Sequence, residues 1–132
     1  MAWYSNLLKL AAPIFVLVGA LHLVLGLGAD VLLGAKLSQE AMSDPVLDSQ
    51  NRFYGVSFTL YGVLLFLCAS DLPKYKSVLR CVLWVFFAGG LARLVSFFAV
   101  GAPSVQVIVL AATELLLPPI LLVWLSRLEA AS

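Results

Sequence analysis

Charge is what this sequence has least of. Eight Lys/Arg and seven Asp/Glu are spread over 132 residues, 11% of the chain against 63% hydrophobic, where a soluble domain has roughly a quarter charged and half apolar. That scarcity excludes a water-facing surface around a single core, and a net charge of +1 excludes a basic face for nucleic acid. Histidine occurs once, at position 22, and cysteine twice, at 68 and 81, with neither the spacing nor the company of a metal site. Both cysteines read as buried thiols. There is no phosphate-binding glycine loop, no activated nucleophile, no internal repeat and no low-complexity tail, so the sequence implies no cofactor and no metal.

What remains is long apolar runs. Four, at about 10–29, 53–70, 78–100 and 105–125, reach the roughly 20 residues needed to cross a bilayer. The links "DLPKYK" and "GAP" are too short for anything but antiparallel neighbours. The expected fold is therefore an all-α integral membrane protein, one antiparallel four-helix bundle forming a single transmembrane domain over 1–132. The first run ends near Gly26 and Gly28, as a signal peptide can, but is expected to be retained as a helix. The polar stretch at about 30–51 is the one sizeable loop, with room for a short interfacial helix after Val31 that Pro45 ends. Lys9, Lys74, Lys76, Arg80 and Arg127 fall at one end of the bundle. Acidic Asp30, Glu40, Asp44 and Asp48 gather at the other, with Lys36 and Arg52. The positive-inside rule then places both termini in the cytoplasm and the 30–51 loop outside, the inner membrane being the expected location in a bacterium. Trp3, Tyr4, Tyr75, Trp84 and Trp124 lie near the cytoplasmic ends, at headgroup level.

Each run also carries a small or polar stripe at helical spacing: Ala12, Gly19, His22, Gly26 and Ala29; Arg52, Gly55, Thr59 and Gly62; Gly89, Arg93 and Ser96; Gln106 and Thr113 beside Glu114. The glycines read as packing faces, since small residues let membrane helices approach. The ionisable residues are costlier, at least about 2.5–3.5 kcal/mol each at depth. Counting helical rise from the turns puts His22, Arg93 and Glu114 in one layer with Arg52 slightly shallower, and pairs Arg93 with Glu114. "ELLLPPI" then places Pro118 and Pro119 so that the carbonyls of Glu114 and Leu115 lose their helical donors, and a kink is expected there.

The "NR" at 51–52, "GGLARLVSFF" at 89–98 and "ELLLPPILLVW" at 114–124 resemble a bacterial family of small four-helix membrane proteins known as domain of unknown function 4345. The resemblance covers nearly the whole chain and marks Asn51, Arg52, Arg93, Glu114, Pro118 and Pro119 as signature positions; His22 has no place in that pattern. It implies a fold and a residue set but no reaction. Three readings follow for the polar layer of His22, Asn51, Arg52, Arg93 and Glu114. The first is a site for a lipid or lipophilic small molecule, favoured by one surplus positive charge, or its variant, an accessory subunit of a larger membrane complex or homo-oligomer. The second is an intramembrane isomerase-like enzyme with Glu114 and His22 moving protons. The third is a structural Arg–Glu clasp.

Overall fold

The computed structural model describes residues 1–131, so the last position of the expected 1–132 domain, Ser132, lies outside the described residues. It consists of helices throughout: α1 Ala2–Leu25, α2 Leu27–Leu32, α3 Gln39–Met42, α4 Pro45–Ser70, α5 Leu72–Val100 and α6 Val105–Ala130. The four long helices α1, α4, α5 and α6 are each apolar and long enough to cross a membrane. Four such helices fit an integral membrane protein, in which the exposed apolar side chains on the outer faces, such as Leu10, Ile14, Leu17, Phe98 and Val100, would meet acyl chains rather than water.

The helices outrun the apolar stretches that announce them, and their caps explain where they start. Asp44 accepts hydrogen bonds from the amides of Val46 (2.8 Å) and Leu47 (3.3 Å), and Pro45 is the first helical residue, where its missing N–H costs nothing. Pro45 therefore opens α4 instead of ending an interfacial helix; the polar loop carries two short helices, α2 and α3, before it. Asp71 likewise caps α5 through the amide of Lys74 (3.2 Å) with Pro73 in the first turn. The expected six-residue turn at "DLPKYK" shrinks to Asp71 alone.

Packing is uneven along the bundle. Helices α1 and α4 meet backbone to backbone: a Cβ on Gly55 would lie 2.7 Å from the carbonyl oxygen of Gly19, and one on Gly62 2.6 Å from that of Ala12. The glycine stripes of these two helices are thus packing faces. Gly90 does the same for α5 against α6, where a Cβ would lie 2.8 Å from Leu115 Cγ. The apolar core, built on Tyr4, Leu8, Cys68, Leu79, Val82 and Leu125, sits in the half of the bundle that holds the chain termini. Tyr4 is fully buried there, donates its hydroxyl to the carbonyl of Leu121 (3.1 Å) and packs edge-on against Trp124 at 5.0 Å. It is a core residue and not a headgroup aromatic, whereas Trp3 at 84% exposure is free for that role. The cysteines divide similarly: Cys68 is buried as expected, but Cys81 is exposed on the outer face of α5.

Candidate functional site

The close approach that Gly90 permits brings the third-helix arginine to the fourth-helix acid. Arg93 Nε donates to Glu114 Oε2 at 2.7 Å, with the Glu114 side chain 5% exposed and that of Arg93 32%. The pair expected from the turn-counting argument is present. Only Nε of the guanidinium is engaged; its two terminal nitrogens have no hydrogen-bond partner among the described residues. Below the pair, Pro118 and Pro119 are accommodated in a single unbroken α6, with Pro118 fully buried. Gln106 and Thr113 lie outside this site: both are exposed, and Thr113 returns its hydroxyl to the carbonyl of Val109 (2.9 Å).

The other expected members of the layer form a separate cluster at the loop end. Gly26, at φ 54°, breaks α1 and lets the chain re-enter a helix at once as α2, a left-handed conformation for which glycine is suited. This turn carries Asp30 back toward His22, whose Nε2 lies 3.6 Å from Asp30 Oδ1. His22 Nδ1 lies 2.9 Å from the carbonyl of Val18, and since a carbonyl only accepts, Nδ1 carries a proton in this contact. The amide nitrogen of Asn51 donates to Asp30 Oδ2, while Asn51 Oδ1 is buried without a hydrogen-bond partner. Next along α4, Arg52 Nε pairs with Asp48 (2.7 Å), and Nη1 donates to the carbonyls of Leu23 (2.6 Å) and Val24 (3.1 Å). Those carbonyls belong to the last turn of α1, which has no helical donors of its own. Arg52 is thus a cap for α1 with its charge balanced by Asp48, and the surplus positive charge expected of the layer is absent. The loop-end cluster sets Arg52 against the two carboxylates of Asp30 and Asp48, with His22 beside Asp30.

Between the two polar groups the bundle is open. A cavity of about 560 Å³ is lined by Phe15 of α1, Tyr54, Phe58 and Tyr61 of α4, Phe86 and Gly89 of α5, and the Arg93–Glu114 pair. Phe15 stacks on Phe58 (6.1 Å, 22°) and on Tyr61 (5.9 Å, 29°), and meets Phe86 edge-on (5.2 Å). Tyr61 donates its hydroxyl to the carbonyl of Val82, which closes the cavity toward the core. A Cβ on Gly89 would meet nothing within 4 Å, so this glycine is not packed against a helix but opens the wall. A second cavity, of about 320 Å³, lies on the far side of Arg93 between α5 and α6, beside Ser96, Phe97 and Ile108. His22 stacks on Phe58 (6.5 Å, 11°), so one ring joins the loop-end cluster to the cavity wall. None of these aromatic residues stands out by sequence spacing, because an inward phenylalanine and a lipid-facing one are written alike.

The family model described as "Domain of unknown function (DUF4345)" matches residues 5–125. The chain belongs to the DUF4345 family. None of the curated proteins and none of the solved structures matches it. The DUF4345 match spans both polar groups, and the positions marked by resemblance divide between them. Arg93 and Glu114 line the cavity, Pro118 and Pro119 follow them on α6, and Asn51 and Arg52 go with the turn that joins α1 to α2. Asp30 and Asp48 complete the second group. Asp48 is legible as the (i, i+4) partner of Arg52. Asp30 is not, since only the left-handed turn at Gly26 folds it back onto His22.

Proposed function

We propose that this DUF4345 protein binds a lipophilic molecule from the bilayer in the aromatic cavity, with the polar head of the molecule at Arg93. The observation that carries this reading is the half-used guanidinium: Glu114 takes Nε alone, the terminal nitrogens have no hydrogen-bond partner among the described residues, and Arg93 lines the cavity. A clasp would close on itself. Donors left unpaired at membrane depth cost free energy unless something accepts from them, and a cavity in the range of 300–1,000 Å³ with mostly apolar walls and few polar groups is how small-molecule sites are built. The lysine and arginine distribution supports placing the protein in a cytoplasmic membrane with the cavity nearer the outer leaflet.

The test uses protein purified in a mild detergent and examined by native mass spectrometry, comparing the unmodified chain with Gly89→Leu. A leucine at position 89, whose Cβ would meet no protein atom within 4 Å, puts side-chain bulk into the cavity wall and replaces a poor helix former by a good one. A defined co-purifying molecule on the unmodified chain, absent from the variant, is the expected result. Identical spectra from the two proteins would overturn the reading.

A further inference from the structure

The cavity also constrains the chemistry of what enters it. We infer that its ligand is a neutral, flat ring bearing carbonyl oxygens on a lipophilic tail, of the quinone or aryl-ketone type; this rests on the binding reading above.

Charge comes first. Arg93 and Glu114 cancel, Arg52 is matched by Asp48, and the remaining ionisable side chains of the loop-end cluster, His22 and Asp30, add no positive surplus. An anionic head such as a lipid phosphate would therefore bring an uncompensated negative charge beside buried Glu114, in a medium where one such charge is costly. A cationic head would meet Arg93. A neutral acceptor meets neither obstacle, and the free terminal N–H groups of Arg93 ask for acceptors.

Shape comes next. Phe15 lies within 22° of parallel to Phe58 and within 29° of parallel to Tyr61, and α5 adds Phe86, edge-on to Phe15, and one turn on Gly89, where a Cβ would meet nothing within 4 Å. A lining of aromatic rings with side-chain-free space at Gly89 suits a planar group, since aromatic faces pack best against flat partners in offset stacks. A carbonyl at the ring edge accepts from Arg93 and leaves no donor of its own unsatisfied. The tail has an exit between α4 and α5, where Tyr54 and Val85 are exposed on the lipid-facing surface.

The experiment measures equilibrium binding to the full chain in detergent micelles with three probes. They are 2-methyl-1,4-naphthoquinone carrying a short isoprenyl chain, the corresponding naphthalene without the carbonyls, and a short-chain phosphatidylglycerol. The quinone should bind at least tenfold more tightly than either of the others, the ratio set by one charge-assisted hydrogen bond, and Gly89→Leu should abolish that binding. Equal affinity for the quinone and the hydrocarbon would leave the apolar site standing and overturn the carbonyl inference. Preference for the phosphatidylglycerol would overturn it in favour of an anionic ligand. No probe distinguishing the unmodified chain from Gly89→Leu would overturn the binding reading and this inference with it.

Discussion

Arg93 and Glu114 hold opposite charges but occupy unlike surroundings, and the difference decides what each substitution costs. Glu114 is all but enclosed at 5% exposure, whereas Arg93 keeps 32% of its side-chain surface exposed. Removing Arg93 strands a carboxylate in a low-dielectric interior; removing Glu114 strands a guanidinium that can still turn toward open space. Arg93→Ala should therefore destabilise by about 3 kcal/mol, the lower bound for breaking a buried pair, and Glu114→Ala by roughly half as much. The double substitution should cost at least ~1 kcal/mol less than the sum. Unfolding in mixed micelles measures all three, and equal single losses would mean that exposure does not govern the cost. Arg52 belongs to a different argument. Since it caps the carbonyls of Leu23 and Val24, Arg52→Gln should loosen the α1–α2 corner by about 1–2 kcal/mol, seen as faster amide exchange at residues 26–29. The cavity-bound molecule should be retained. Loss of that molecule with unchanged exchange at the corner would make Arg52 a ligand contact.

The glycines of the long helices divide by what stands opposite them. Gly55 and Gly62 of α4 face backbone atoms of α1 at 2.6–2.8 Å from an ideal Cβ, and backbone cannot swing aside as a side chain can. Gly55→Ala and Gly62→Ala should each push the α1/α4 pair apart at about 1–3 kcal/mol, whereas Gly89→Ala should be neutral or mildly stabilising, within about 1 kcal/mol. Thermal unfolding of the three variants checks this, and a loss at Gly89 equal to that at Gly55 would mean that the cavity wall is packed. The stripe of Gly55, Thr59 and Gly62 was legible in the sequence because period and residue size are local properties. The ends of the helices were less so, because hydropathy fades before the hydrogen-bonded ladder does: α4 runs through "PVLDSQNR", polar enough to read as loop, on the strength of the Asp44 cap and a proline at the first helical position. Pro45 itself was ambiguous in the sequence, since proline both ends helices and begins them.

Between whole helices, the sequence showed which residues are too costly to face lipid but not which of them meet. Counting rise from the turns brought Arg93 to Glu114 correctly, because both lie on one hairpin with a short link. It placed His22 in their layer, with Arg52 slightly shallower, because counting residues cannot show the left-handed turn at Gly26 that brings Asp30 back to His22, nor the carbonyls of α1 that Arg52 caps. The aromatic cavity was invisible for a related reason: it exists because the bundle is packed tightly around Tyr4, Leu8 and Leu125 at the terminal end and opens beyond Tyr61 toward the loops. That asymmetry gives the orientation of the chain a functional meaning, since the open half decides which leaflet can feed the cavity. Lys9, Lys74, Lys76, Arg80 and Arg127 all lie at the closed end, where Glu129 already takes Lys76 (3.8 Å) and Arg80 as partners. The positive-inside rule counts lysine and arginine and gives acidic residues little weight, so the closed end should still be cytoplasmic. In a Cys68→Ala, Cys81→Ser background, a cysteine at Ser43 should react with a membrane-impermeant maleimide added to intact cells, and a reporter fused after residue 130 should be active only in the cytoplasm. Labelling of Ser43 only after the membrane is permeabilised, with the reporter active outside, would invert the chain and give the cavity to the cytoplasmic leaflet.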